Sequence, residues 1–409
     1  MQAKDRALFM PTDTISAAVA NQYDTMVAIR RDLHQHPEVA FEEVRTSSIV
    51  ADRLRELGYT VRTGVGKTGV IGILRGGRAT AVSRTIMIRA DMDALPVQEE
   101  NDVPYRSLVN GKMHACGHDG HVAIGLTVAT VLAAQQSELP GTVMLLFQPA
   151  EERASGAFDM LQEGALTDPK VDATIGLHLW SPIPVGTVGV KSGPFFASAD
   201  EIILTVRGRG GHGAMPELSV DPVIVAAQII TALQTLVSRE ISPFHPAVVT
   251  IGSIHGGTAF NIIADEVELR GTVRTYDDAD RKHLLRRIPE LASAVAMSMR
   301  AECSFRSDIG IPACINDVAI AEIVHNAAVA TVGEAHVTAD CMQSVSDDMA
   351  YFLEAVPGCY FAVGIGNADK GITAPHHNAH FNMDEAGLPI GAEVLIRAAL
   401  DYLGETSEN

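Results

Sequence analysis

The sequence predicts an α/β protein of two domains, a larger one built on a mostly parallel mixed sheet and a smaller α+β domain inserted into it. Three observations carry this: the 409-residue length, apolar strand-like runs alternating with helical ones towards both ends of the chain, and a change of rhythm near position 200. A chain this long exceeds one ordinary core and fits domains of roughly 100–250 residues each. With 47% hydrophobic and 20% charged residues and no polar low-complexity run, it has the apolar material to fill two cores. No internal repeat of about 20–50 residues is present.

Taken in order, Ile29, Leu33, Ile49, Val50, Leu54 and Leu57 recur at helical spacing, and His36-Pro37 breaks them into two helices before Gly58 stops the second. Residues 70–74, 85–88, 143–147 and 173–177 read as buried strands, and 122–134 and 158–164 as helices. Such alternation gives a largely parallel sheet. The run 202–206, followed by Gly208, Gly210 and Gly211, opens a different order. A helix over 221–239, strands near 248–254 and 267–274, a helix over 279–299 and a strand around 303–306 follow it. That β-α-β-β-α-β order is ferredoxin-like. From about Pro312 the first rhythm resumes, with 360–364 as another buried strand. The expected division is a discontinuous domain of residues 1–192 and 312–409 with 193–311 inserted.

A net charge of −19 argues against a nucleic-acid partner, whose backbone is met by clustered Lys and Arg. Substrate charge is decided locally, by a few Arg or metal charges in a pocket. Cys116, Cys303, Cys314, Cys341 and Cys359 are odd in number and scattered, which fits a reducing cytoplasm better than a disulfide scaffold. The first 21 residues carry Lys4, Asp5, Arg6 and Asp13 without a sustained apolar stretch, so neither a signal peptide nor an anchor is expected. The apolar run 123–134 is too short for a bilayer and is interrupted by Thr, so no membrane partner is expected.

The densest chemical signal is His114-Ala115-Cys116-Gly117-His118-Asp119-Gly120-His121, three His and one Cys among eight residues at the start of a helix. Thiolate and imidazole suit borderline metals, and Gly117 lets the backbone bring Cys116 and His118 to one ion or to neighbouring ions. On its own the segment reads equally as a reactive or buried cysteine among polar residues. After the strand 143–147 comes Gln148-Pro149-Ala150-Glu151-Glu152. Adjacent Glu residues beyond a strand can divide the work of metal ligand and proton carrier, or form a solvated turn. His178 ends the strand 173–177, and Ala374-Pro375-His376-His377-Asn378 lies near the C-terminus. Strand ends of one sheet share one edge, where such donors can assemble a metal cluster. The Gly-rich stretch 208–213 lacks the register and the downstream acid of a dinucleotide loop.

Arg89-Ala90-Asp91-Met92-Asp93-Ala94-Leu95-Pro96, Met113-His114-Ala115-Cys116-Gly117-His118-Asp119, Phe147-Gln148-Pro149-Ala150-Glu151-Glu152 and Gly210-Gly211-His212-Gly213-Ala214 together resemble the metal-dependent amidohydrolases. This is the family of hippurate hydrolase, the N-acyl-amino-acid deacylases and the plant auxin-conjugate hydrolases. The likeness runs in order from about Arg30 to Leu403.

The resemblance implies a zinc-peptidase-like catalytic domain, an inserted lid and dimerisation domain, and two divalent metal ions per subunit, drawn from Zn, Mn, Co or Ni. It implies that Cys116 bridges both ions, that Glu152 and His377 complete one shell and His118 and His178 the other, and that Glu151 is the general base. The family's last ligand precedes Ser/Asn-Pro, whereas here His377-Asn378-Ala379 lacks the Pro, which leaves His376 as the alternative. Asp93 and Asp119 are expected behind the ligand imidazoles, or as caps. His212, Asn261 and Arg274 match substrate-binding positions, and the planar fork of Arg274 suits a carboxylate.

The implied reaction is hydrolysis of an N-acyl or N-aroyl amino acid by a cytoplasmic homodimer or higher homo-oligomer joined through the inserted domain. The alternatives are a small-peptide carboxypeptidase or dipeptidase of the same family, a silent metal-dependent binding protein, and a hydrolase using Cys116 as nucleophile.

Overall fold

The structure is a computed structural model that describes residues 12–404; Lys4, Asp5 and Arg6 lie outside the described residues. The chain divides into two compact units. One comprises the described part of Met1–Phe195, Ile315–Met342 and Asp347–Asn409; the other comprises Phe196–Cys314 and Gln343–Ser346.

The first unit is built on an eight-stranded sheet in the order Thr60–Val65, Gly69–Arg75, Thr142–Gln148, Thr85–Asp91, Ala173–Pro184, Gly358–Gly366, Val188–Gly189 and Val337–Thr338. Its four central strands, from Thr142–Gln148 to Gly358–Gly366, run parallel. Strand Thr60–Val65 and its neighbour Gly69–Arg75 add an antiparallel edge, and Val188–Gly189 is antiparallel to Gly358–Gly366. Thr85–Asp91 and Gly358–Gly366 are buried at every position, as expected of parallel strands covered on both faces.

Helix His118–Ala134 is buried along nearly all its length and packs against helices Tyr23–Gln35 and Gly387–Gly404. Its apolar run is therefore core. The sequence places the start of this helix at residue 122; in the structure it begins one turn earlier, so that His118 stands in the first turn. That first turn, His118-Asp119-Gly120-His121, has no apolar period because its polar side chains are spent on the site.

The second unit follows Ala199–Arg207, Pro222–Thr235, Ala247–Gly256, Glu266–Thr275, Asp278–Ser298 and Glu302–Ile311, the β-α-β-β-α-β order of a ferredoxin-like domain. Its sheet is antiparallel, in the order Ala247–Gly256, Glu266–Thr275, Ala199–Arg207, Glu302–Ile311. Ile202, Leu204 and Val206 pack with Val225, Ile229, Leu233, Leu284 and Ile288 to form its core. Pro222–Glu240 is long and apolar enough to cross a bilayer by length and composition, with 33% of it buried. Its buried side is the one that fills this core.

Candidate metal centre

Two strands of the first unit end where chemistry-bearing side chains collect, as open α/β sheets favour, and a third passes through, since the strand bearing His178 runs on to Pro184 instead of ending at Leu177 as the sequence suggested. Thr85–Asp91 ends in Asp91 and runs on to Asp93, Thr142–Gln148 leads into Glu151 and Glu152, and Ala173–Pro184 carries the buried His178. Between Cys116 and helix His118–Ala134, Gly117 takes φ 94°, a left-handed turn open to glycine at no cost.

Two donor sets share Cys116. Cys116, His118 and His178 form one, Cys116, Glu152 and His377 the other, and within each set the donor atoms all lie within 4.8 Å of one another. Cys116 Sγ stands 3.6 Å from His178 Nε2, and Glu152 Oε1 stands 3.4 Å from His377 Nε2. Donors bound at ~2.0–2.3 Å to one tetrahedral ion lie about 3.3–3.8 Å apart. Both separations therefore match edges of a coordination tetrahedron. Glu151 joins His118 and Glu152 in a further set of the same tightness.

The residues fit cations on a second ground. His118 Nε2 and Glu152 Oε1 are buried without a hydrogen-bond partner. Leaving such atoms unsatisfied costs about 1–3 kcal/mol each, a cost that a cation bound at each removes. His118 Nδ1 donates to the Asp93 carbonyl at 2.8 Å, which leaves the Nε2 lone pair free for an ion.

The electrostatics agree. Burial opposes charge on His118, yet Asp91 and Asp93 push its pKa up to about 10, so this cavity draws a positive charge. Burial, then Glu152, Glu151 and Asp91, hold the Cys116 thiol well above its usual range. A nucleophilic thiolate needs electropositive surroundings, so this field opposes the reading of Cys116 as a nucleophile, whereas a bound cation would reverse it. Burial, then Asp347, Glu152, Asp348 and Asp93, raise Glu151 well above the carboxylate range. Glu152 is held below it: burial works the other way, but His377 and His118 prevail.

The backbone here is strained where the chemistry sits. Ala150 and His377 take φ 52° and 63°, left-handed conformations costing non-glycine residues on the order of 1–3 kcal/mol. Each is pinned by a hydrogen bond, Ala150 N to Glu43 Oε1 at 2.9 Å and His377 N to Ala115 O at 2.8 Å.

Asp93 does more than back an imidazole. Its carboxylate accepts from Glu151 N at 3.0 Å and Glu152 N at 3.1 Å, capping the turn that carries both glutamates. Asp119 does not stand behind a ligand imidazole as expected. Its Oδ2 instead meets Arg30 Nε at 2.9 Å and His34 Nδ1 at 2.8 Å. His376 has both ring nitrogens engaged, Nε2 with Leu179 O at 2.9 Å and Nδ1 with Ser181 Oγ at 3.2 Å. That leaves His377 as the donor facing Glu152.

In the second unit, strand Gly211–His212 pairs with Ile262–Ile263, and Gly213 N donates to Asn261 O at 2.9 Å. His212 and Asn261 are thus brought together, both exposed. Arg274 is not among them; it is half-buried on Glu266–Thr275 and donates to Ser346 Oγ at 2.9 Å.

Sequence reasoning missed a buried base beneath Glu151. The Arg89 guanidinium bonds to Gln148 Oε1 at 2.8 Å and Tyr360 Oη at 3.1 Å, and pairs with Asp91 at 2.6 Å, Asp347 at 3.1 Å and Asp348 at 3.2 Å. Asp348 also accepts from Gln148 Nε2 at 2.6 Å and Ala157 N at 3.0 Å, clamping the glutamate turn from both sides. The only signal was the buried setting of Arg89 at the end of an apolar strand.

Together with the mixed sheet and the α+β unit, this donor set defines the class, an α/β metal-site protein of the zinc-peptidase type. The chain belongs to peptidase family M20/M25/M40, whose pattern it matches over residues 87–401. It is 37% identical to an N-acetyl-L-cysteine deacetylase of Bacillus subtilis, covering 94% of this chain and 89% of that one. It is also 37% identical to thermostable carboxypeptidase 2 of Saccharolobus solfataricus, over 90% and 93% of the two chains. Among solved structures, the Bacillus subtilis YXEP protein, a dinuclear metal binding peptidase from the M20 family, superposes with TM-score 0.82 at 33% identity, covering 95% of this chain and 99% of that one.

Proposed function

We propose that this chain is a metal-dependent amidohydrolase that cleaves the amide bond of N-acyl or N-aroyl amino acids, hippurate-type, and releases the free amino acid. The observation that carries it is the pair of donor sets meeting at Cys116, with Glu151 against both. Cys116, His118 and His178 would hold one divalent ion, and Cys116, Glu152 and His377 the second. The dinuclear character of the YXEP relative supports that count. Zn, Mn, Co and Ni all suit a Cys/His/Glu set.

Bound divalent ions supply Lewis acidity that polarises a carbonyl and acidifies water. Glu151 takes the water's proton and passes it to the leaving amine, for which a carboxylate raised by its neighbours is suited. Asp93 holds Glu151 and Glu152 in place through their backbone N–H groups. Asn261 and Arg274 bind the substrate carboxylate, and His212 its carbonyl or carboxylate. The second unit acts as lid and dimerisation domain, in an arrangement of 1–192 with 312–409 as catalytic domain and 193–311 inserted. Val223, Ile224, Phe244 and Phe260 are all exposed on that unit and support a second copy as their partner. The five scattered cysteines, with no disulfide between them, support a cytoplasmic setting.

The test is to strip the purified protein with chelator, restore single divalent metals, and assay N-acetyl and N-benzoyl amino acids. Activity that returns with metal is expected; activity indifferent to metal refutes the proposal. The carboxypeptidase relative supports a second reading, removal of C-terminal residues from small peptides. Unblocked dipeptides in the same screen separate the two.

A further inference from the structure

Among the histidines near the donor sets that remain without a role are His121, last of the dense motif, and His376. Both converge on the backbone of Leu179, His121 on its N–H and His376 on its carbonyl. Strand Ala173–Pro184 pairs with Thr85–Asp91 only as far as Gly176. Beyond that point side chains meet the Leu179 backbone. Leu179 N donates to His121 Nε2 at 2.9 Å. Leu179 O accepts from His376 Nε2 and from His178 Nδ1, each at 2.9 Å.

The tautomers follow from these partners. A peptide N–H can only donate, so His121 Nε2 must accept and the ring proton sits on Nδ1, which donates to Asp91 Oδ1. Asp91 is held in turn by Arg89 at 2.6 Å. A carbonyl can only accept, so His178 carries its proton on Nδ1 and presents the Nε2 lone pair towards Cys116, 3.6 Å away. His376 is fixed by the same logic and stacks on Trp180, ring centroids 4.6 Å apart at 25°. His121 is close enough to Asp91 and His118 to be grouped with them as a possible ion site. Both its nitrogens are already engaged, however, so it has no lone pair to offer.

We propose that His121 and His376 are positioning residues that lock the two peptide groups flanking Leu179 and so hold its carbonyl where it fixes the tautomer and ring plane of His178. The inference rests on the two-ion reading above. It goes beyond the ligand set by assigning a job to His121 and His376. Partners of this kind, when removed, typically weaken metal binding by about 10–100-fold without abolishing the site.

The experiment uses the full-length protein loaded with zinc and dialysed against graded chelator, with ions per chain counted by elemental analysis and melting recorded alongside. His121→Leu removes both hydrogen bonds of that ring, and His121→Gln keeps one donor and one acceptor. His376→Phe removes one bond to the Leu179 carbonyl while leaving Asp91 satisfied, and it carries the test should His121→Leu not fold. The expected result is two ions in the wild type, with one released at about 10–100-fold lower chelator concentration in His121→Leu and His376→Phe, and retention partly restored in His121→Gln. Two ions held at wild-type affinity by both variants overturn this inference alone. An ion missing outright from His121→Gln, at every chelator level, also overturns it by making His121 a ligand. A wild type that holds no ion overturns the two-ion reading itself.

Discussion

Replacing Arg89 with Met tests the buried base on which the glutamate turn rests. The guanidinium is fully buried and faces Asp91, Asp347 and Asp348, each also buried. Removing one partner of a buried ion pair costs about 3–5 kcal/mol, because the other charge is left without compensation. Here three carboxylates lose the same partner, and they respond in part by taking up protons. Asp348 is already pushed up to about 8 by burial and by Asp347, against the pull of Arg89. The loss in Arg89→Met is therefore set at about 3–5 kcal/mol rather than three times that. Against a total stability of about 5–15 kcal/mol this is a large fraction, equivalent to about 6–20 °C in melting temperature. Denaturant titration and calorimetry of the metal-free protein measure it. Asp348 has a folded pKa raised above its unfolded one and loses the opposing pull of Arg89 in the variant, so the deficit should shrink as pH falls. Adding Asp347→Asn should recover part of it, since one stranded charge is removed. A loss under about 1 kcal/mol, or a deficit that grows as pH falls, would refute this account of Arg89.

Glu151→Gln should lower the amidase rate by about 10²–10⁴-fold while elemental analysis still finds both ions; an unchanged rate removes Glu151 as the base. Cys116→Ser, which alters the one donor common to both sets, should weaken retention of both ions against chelator, and loss of one alone would show that the sulfur is not shared. In metal-free protein, stability should fall as pH rises from about 7 to 10. His118, raised to about 10, contributes stability that is complete below its unfolded value and lost as pH climbs through its folded one; Asp348, raised to about 8, acts in the same direction. Denaturation across that range checks this, and a flat profile counts against the placement of both groups. Converting the substrate's free carboxylate to a carboxamide should raise KM at least tenfold; an equal KM would rule out Arg274 and Asn261 as its anchors.

Much of the fold was legible because burial writes itself into the chain. Thr85–Asp91 and Thr142–Gln148 read as apolar runs since helices cover both their faces, and the ferredoxin-like order followed from strand and helix signals alone. Strand Thr60–Val65 escaped because it lies at a sheet edge with alternating polar residues half in solvent. Val188–Gly189 and Val337–Thr338 are too short to carry any period. The start of helix His118–Ala134 was misjudged because its first turn is buried for chemistry, so hydrophobicity gave no sign of it.

What the sequence concealed is the set of contacts that depend on distant pairing. Asp347 and Asp348 stand in a Val-Ser-Asp-Asp stretch that reads as a solvated turn, and Arg89, more than 250 positions earlier, joins Gln148 and Tyr360 in making their burial possible. His121 resembles a ligand until Leu179 N–H, 58 positions away, claims its lone pair. The same pairing explains how a strongly acidic chain could receive an anionic substrate. Asp91 is balanced by Arg89 and His121, Asp93 by two backbone N–H groups, and Asp347 by Arg89 and Tyr360. The charges left facing the site are those of Glu151, Glu152 and a Cys116 thiolate. On the proposed reading two divalent ions outweigh these three, so the local field favours a carboxylate although the whole molecule carries −19.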